Sequence, residues 1–306
     1  VSAQLGNGSK GTDYVLRTPN QLKRSLLDQI SGRHRPIFYT LRIADRDEAG
    51  ANALSELRGL GINLVANALA QSTDHILSFF QLLRAELGFY VGCLNLHAQL
   101  TLKGEPITFP EPQPLGTRVL TYRGIYDACL SLSMEGRVVG NDANADGKTL
   151  VMITGANTGG KSTLLRSIGL AQLMMQAGMF VPAASFRANL SGGVFTHYKR
   201  EEDSQMESGK LDEELARMSQ IAGQIRPNGM VLFNESFAAT NVREGSEIAR
   251  QIIRPLRESD VKVCFVTHFF DLANSLYRAQ GAGSLHLRAE RQPDGRRTFK
   301  LNVGEP

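Results

Sequence analysis

Apolar positions divide the chain into two regimes. From about Asp45 to Leu96 they recur three and four residues apart, and beyond Lys103 they come as short runs alternating with helical stripes. In the first regime Ala49, Ala53, Leu54, Leu57, Leu60, Leu64, Val65 and Leu69 form one stripe, which predicts a helix over about 45–69. Gly59 and Gly61 weaken its middle, each by ~1 kcal/mol relative to alanine, so a break is expected there. A second helix is predicted from Ser72 or Thr73, both suited to capping. It carries Ile76, Leu77, Phe79, Phe80, Leu82, Leu83, Leu87, Phe89, Tyr90, Cys93, Leu94 and Leu96, apolar nearly all round as a helix buried between neighbours would be. Upstream, residues to Pro36 are polar, with a Gly/Ser-rich opening from Gly6 to Gly11 and one helical patch (Leu22, Leu26, Leu27, Ile30). Ile37–Ile43 reads as a strand or an entry segment.

Pro106, Pro110, Pro112 and Pro114 end the helical regime and form a semi-rigid connector. The domain boundary is placed there, with a mostly helical segment over 1–114 and a second domain over 115–306. In that domain strands are predicted at Thr149–Thr154, Gly193–Thr196, Met230–Phe233, Val261–Thr267, Ser284–Leu287 and Thr298–Leu301. Helices are predicted after Ser162 to Ala177, from Lys210 to Ile225, and from Gly245 to Arg257. Such alternation argues an α/β sheet that carries its ligand at the strand C-termini.

Composition adds bounds rather than a function. The 306 residues are 42% hydrophobic and 21% charged, ordinary for a soluble globular protein and enough for one large or two smaller cores. A net charge of +4 permits a polyanionic partner without requiring one. Cys93, Cys129 and Cys264 are widely spaced in apolar surroundings, which predicts buried thiols in a reducing, cytoplasmic setting. No apolar run reaches the length of a membrane span, and no membrane association is expected. Val1 follows neither a start methionine nor a signal-peptide pattern, so it reads as an internal cut.

The chemistry begins at Gly155-Ala156-Asn157-Thr158-Gly159-Gly160-Lys161-Ser162-Thr163, which satisfies G-x-x-x-x-G-K-[ST] between a strand and a helix. Glycines let successive backbone N–H groups turn inward toward phosphate oxygens, and the following helix adds its positive dipole end. Lys161 is placed to reach the β- and γ-phosphates, and the Ser162 hydroxyl to ligate Mg²⁺. This motif in this context is specific; a glycine turn matching by chance is the weaker alternative.

Three further places complete a hydrolysis site. The run Met230–Phe233 ends in Asn234-Glu235, where phosphate-loop enzymes carry an Asp holding Mg²⁺ through water and a Glu orienting the attacking water. Asn234 can bond a metal-bound water but removes one negative charge, so binding is expected to survive better than turnover. Thr267-His268 closes another strand, where a histidine can contact a γ-phosphate. Ser208-Gly209 precedes a helix with Asp212, Glu213 and Glu214 in its first turn, either an ordinary dipole pairing or a surface facing the nucleotide of a second subunit. Leu190-Ser191-Gly192-Gly193 imitates the signature of transporter ATPases, but strand-like Val194–Tyr198 follows it and it reads as a turn.

Thr154–Thr163 with Gly178-Met179-Phe180-Val181-Pro182-Ala183, then Val194-Phe195-Thr196, Ser208-Gly209, Leu232-Phe233-Asn234-Glu235 and Thr267-His268, resembles the ATPase domain of the MutS family in order and spacing. Tyr122-Arg123-Gly124 to Asn141-Asp142 is similar to the stretch that family uses to flank the adenine, and the helices before Pro106 are similar to the base of its lever domain. The resemblance implies an ABC-type P-loop NTPase fold preceded by a mostly helical lever segment. It implies ATP and Mg²⁺ held by Gly155, Asn157, Thr158, Gly159, Gly160, Lys161, Ser162, Thr163 and Asn141, with Asn234 on the metal through water. Glu235 would be the water-orienting carboxylate, His268 the γ-phosphate sensor and Lys161 a catalytic cation. It also implies a homodimer in which Ser208 and Gly209 serve the partner's nucleotide, with ATP binding coupled to double-stranded DNA.

The chain departs from the family at Asn234, at Phe237–Asn241 in place of a Gly-rich turn, and in lacking segments like the mismatch-reading and nuclease modules. Those departures point to a MutS-related paralogue. A nucleotide-gated DNA-binding or scaffold protein with little turnover stays open, as does, more remotely, a transporter ATPase subunit. Arg288, Arg291, Arg296, Arg297 and Lys300 form a basic tail that is either a DNA contact or a solvated hairpin; the near absence of interleaved aromatics favours the hairpin.

Overall fold

The structure is a computed structural model of the chain and describes residues 2–5, 11–17, 38–39, 47–199, 209–279, 283–292 and 296–306. Its packing separates Val1–Phe89 from Tyr90–Pro306. In the first unit β1 (Ser2–Leu5), β2 (Gly11–Arg17) and β3 (Phe38–Tyr39) form an antiparallel sheet. The polar opening thus contains two strands that hydrophobic patterning did not show. The helical patch Leu22–Ile30 and the rest of Ile37–Ile43 lie outside the described residues.

The two predicted helices are one. Helix α1 runs unbroken from Glu48 to Leu102, 55 residues, straight through Gly59 and Gly61. Once a helix is nucleated each further residue adds a hydrogen bond, so two glycines near its first third do not repay the cost of breaking it. The expectation of burial also fails, because Ile76, Leu77, Phe79, Phe80, Leu82 and Tyr90 are exposed. By length and composition alone an 18-residue window of α1 is apolar enough to cross a membrane, contrary to the reading of run lengths. Interspersed polar residues keep each run short while the average over five turns stays apolar.

The second unit is a mixed α/β structure. A six-stranded sheet is ordered β13-β12-β7-β11-β10-β9, made of β7 (Leu150–Thr154), β9 (Val194–Tyr198), β10 (Met230–Asn234), β11 (Lys262–Val266), β12 (Ser284–Arg291) and β13 (Arg297–Val303). Every pair is parallel except β12–β13, the hairpin that carries the basic tail. β7 and β11 are buried along their whole length, as expected of strands covered on both faces. Helix α3 (Lys161–Gln176) covers one face through Leu164, Leu165, Ile168 and Ala171. Helix α5 (Val242–Glu258) and α6 (Phe270–Arg278) cover the other through Ala249, Ile253 and Leu272.

A second sheet, ordered β4-β8-β5-β6, was not foreseen in the sequence. It consists of β4 (Glu111–Gln113), β5 (Leu120–Ile125), β6 (Asn141–Asn144) and β8 (Ser185–Asn189). Between β5 and β6 stands α2 (Ala128–Ser133), capped by the Asp127 carboxylate, which accepts from Leu130 N at 3.0 Å. Its Cys129 is exposed and Cys93 half-buried, which corrects the expectation of three buried thiols; only Cys264 is buried.

Candidate functional site

The site is built at the C-terminal ends of β7, β11 and β10, adjacent in the sheet and far apart in sequence. After β7 the chain turns through Gly155 (φ +113°) and Gly160 (φ +89°), backbone that L side chains rarely adopt, and enters α3 at Lys161 without a side-chain cap. The first-turn N–H groups of α3 are therefore left facing the loop's interior. The loop also lies hard against β12: a Cβ on Gly155 or Gly159 would stand 2.8 Å from that of Ala289. Ala289 is a supporting residue that nothing in the sequence singled out.

The lysine side chain is folded back into the cradle. Lys161 Nζ donates to Gly155 O at 2.9 Å and Ala156 O at 3.0 Å, and the residue is 4% exposed. Burial lowers its pKa, opposed by the Glu235 carboxylate, whose charge reaches it. Ser162 Oγ donates to Asn234 Oδ1 at 2.8 Å, joining the start of α3 to the end of β10. Glu235 follows in a left-handed conformation (φ +54°), its N–H bonded to Val266 O at 2.9 Å. Its Oε1 lies 2.5 Å from His268 Nε2, both side chains partly open to solvent.

Lys161, Ser162, Asn234, Glu235 and His268 are thus brought together, while Asn157 and Thr158 are exposed on the rim of the loop. Thr163 and Gly160 line an adjoining cavity of about 480 Å³ with Ile125, Tyr126, Leu130 and Phe299. Its apolar walls suit a flat aromatic ring. Asn141 lines it too, but its amide is committed to β13, with Nδ2 donating to Phe299 O at 3.1 Å and Oδ1 accepting from Leu301 N at 2.7 Å. It holds the wall, leaving one amide hydrogen and one carbonyl lone pair not used by these two bonds. Leu130 on α2 falls within Tyr122–Asp142, the stretch whose resemblance was seen in the sequence, whereas Phe299 on β13 carries no motif and was missed. Gly209 is exposed and extended ahead of α4 (Lys210–Gln224); Ser208 lies outside the described residues.

These residues fit a magnesium nucleotide. The cradle has no room for a Cβ at Gly155 or Gly159, its cation is bonded among the described residues to two backbone carbonyls, and a hydroxyl–amide pair stands beside it. Oxygen ligands of this kind suit a hard cation.

Comparison with known proteins gives the same direction. A family model described as MutS domain V matches residues 151–305, and one described as the MutS2 N-terminal domain matches residues 1–103. MutS protein homolog 4 of Mus musculus is 24% identical over 302 residues, 96% of this chain and 31% of that protein. Endonuclease MutS2 of Bacillus velezensis is 29% identical over 174 residues (56% of this chain, 22% of that protein), and that of Lacticaseibacillus casei 33% over 177 residues (56% and 22%). The chain spans less than a third of the length of these relatives.

Proposed function

The chain belongs to the MutS family, and from that premise we propose that it binds and hydrolyses ATP with Mg²⁺, dimerises through this domain, and couples nucleotide state to DNA binding in repair or recombination. The observation that carries the proposal is the convergence on one glycine loop of Ser162 with Asn234 and of Glu235 with His268.

The loop's N–H groups and the α3 terminus receive the phosphates, and Lys161 exchanges two carbonyl partners for phosphate oxygens. Ser162 and, through water, Asn234 would hold Mg²⁺, which supplies neutralisation of phosphate charge. Glu235 orients water and accepts its proton, and His268 fixes the direction of that carboxylate until a γ-phosphate competes for the imidazole. The apolar cavity receives the base. Gly209, extended and exposed, is left for a second subunit's nucleotide.

Rapid mixing with radiolabelled ATP tests this reading. Magnesium-dependent release of phosphate is expected, together with retention of duplex or branched DNA that weakens steeply with salt. Absence of ATP binding would remove the whole proposal, and salt-insensitive or absent retention its DNA half. A second reading, a nucleotide-gated binder with slow turnover, is favoured by Asn234 alone. On that account Asn234→Asp should lower the Mg²⁺ concentration for half-maximal turnover by about tenfold, the worth of one extra charge-assisted contact. An unchanged magnesium titration would show that Asn234 does not limit the metal.

A further inference from the structure

Resting on that reading, we propose that His197, Ser236 and Glu214 are positioning residues, a latch that ties the turn bearing Glu235 to helix α4. Glu235 (φ +54°) and Phe237 (φ +63°) flank Ser236, so two non-glycine residues in this short turn are held left-handed. Such backbone is unfavourable for residues with a Cβ and persists only where its surroundings impose it. From below, the turn presses on α5, where a Cβ on Gly245 would stand 2.5 Å from Phe237 O. From the side it is held by polar groups that the hydrolysis mechanism does not use.

His197, on β9, is wholly buried and stacks on Phe237, ring centroids 5.1 Å apart at 23°. Its Nε2 lies 2.9 Å from Glu214 O on α4 and its Nδ1 2.7 Å from Ser236 Oγ, which also lies 2.6 Å from His197 O. A carbonyl has no hydrogen to give, so Nε2 carries the proton. Nδ1 then accepts from Ser236, whose single hydroxyl hydrogen is shared with His197 O. Burial lowers the pKa of His197, consistent with that neutral form. The Glu214 carboxylate, 4% exposed, has the Phe237 backbone N–H beside it, which favours its charged form, while among the described residues its Oε2 has no partner. Burial raises its pKa, so this carboxyl is kept inside at a cost to stability.

The consequence is mechanical. α4 starts directly after Gly209 and reaches the Glu235 turn by two independent links, one through His197 and Ser236 and one through Phe237 N–H. A shift of α4 therefore moves Glu235 relative to His268 and the glycine loop. If α4 closes on a second subunit's nucleotide, each chain's own carboxylate is aimed by the pocket it completes in its partner.

The test uses Ser236→Ala and Glu214→Met, which remove one link each, with Ser236→Thr and Glu214→Gln, which keep the hydroxyl and the acceptor. Nucleotide dissociation constants and single-turnover rates are measured for all four. Loss of about tenfold in rate is expected for the first two, with affinity within about twofold, the split produced when alignment rather than binding is lost. The conservative pair should retain at least half the rate. Should Ser236→Thr not fold, the Glu214 pair decides alone. Rates equal to the unsubstituted protein in Ser236→Ala and Glu214→Met, or equal losses of affinity and rate, overturn the latch while leaving Glu235 in its role. An unsubstituted protein no faster than Lys161→Ala overturns both.

Discussion

Glu235→Gln is expected to cut ATP turnover by about two to three orders of magnitude and to leave nucleotide affinity within about threefold. The glutamine keeps the side chain's volume and can still accept from His268, so the turn should stay in place. What it loses is the ability to take a proton from water. It also loses the negative charge that now supports the charged form of Lys161, so Lys161 should be slightly easier to deprotonate in the variant. The measurement is single-turnover ATP cleavage beside equilibrium binding of a fluorescent nucleotide. Turnover at the unsubstituted rate would show that another group activates water and that the Glu235–His268 pair serves a different purpose.

Removal of the cradle's cation should do the reverse and act on binding first. Lys161→Ala is expected to weaken ATP by about ten- to a hundredfold, since a charge-assisted hydrogen bond contributes ~1.5–3 kcal/mol and every 1.4 kcal/mol is tenfold. Gly155 O and Ala156 O lose their donor in that variant, but the loop is open enough for water to replace it. The melting temperature should therefore shift by only a few degrees while nucleotide no longer raises it, because a ligand that does not bind cannot stabilise. Nucleotide-induced stabilisation equal to that of the unsubstituted protein would mean that the phosphates bind elsewhere.

The comparison of the two variants also separates the roles of the two ends of the site. Lys161 lies on a segment whose conformation is local, whereas Glu235 depends on strand order, on the strained turn after β10, and on whatever holds that turn. Effects on affinity should accordingly concentrate in Gly155–Thr163, and effects on rate in residues 234–237 and His268.

Legibility in the sequence followed the range of the interactions. Strands β7, β10 and β11 were readable from short apolar runs, because strands covered on both faces contain little else, and helix α3 from apolar residues at helical spacing. The β4-β8-β5-β6 sheet was not, since its strands alternate burial irregularly, as in the mixed exposure of Leu120–Ile125, and Pro112 sits within β4. The exposed apolar side chains of α1 misled in the opposite sense. An all-round apolar helix says that something covers it, but not what, and among the described residues most of its large apolar groups are uncovered.

The glycine loop was a matter of sequence alone. Positive φ at Gly155 and Gly160, the helix opening at Lys161 and the turned-in amides all follow from residues within ten positions of one another. Tertiary structure decided everything that loop works with. Only the order β12-β7-β11-β10-β9 brings Asn234, Glu235 and His268 to its edge, seats Ala289 beneath its glycines and sets His197 against Ser236. Backbone preference acts over a few residues, whereas register between strands is set by the burial of whole faces, so the first can be read along the chain and the second only across it.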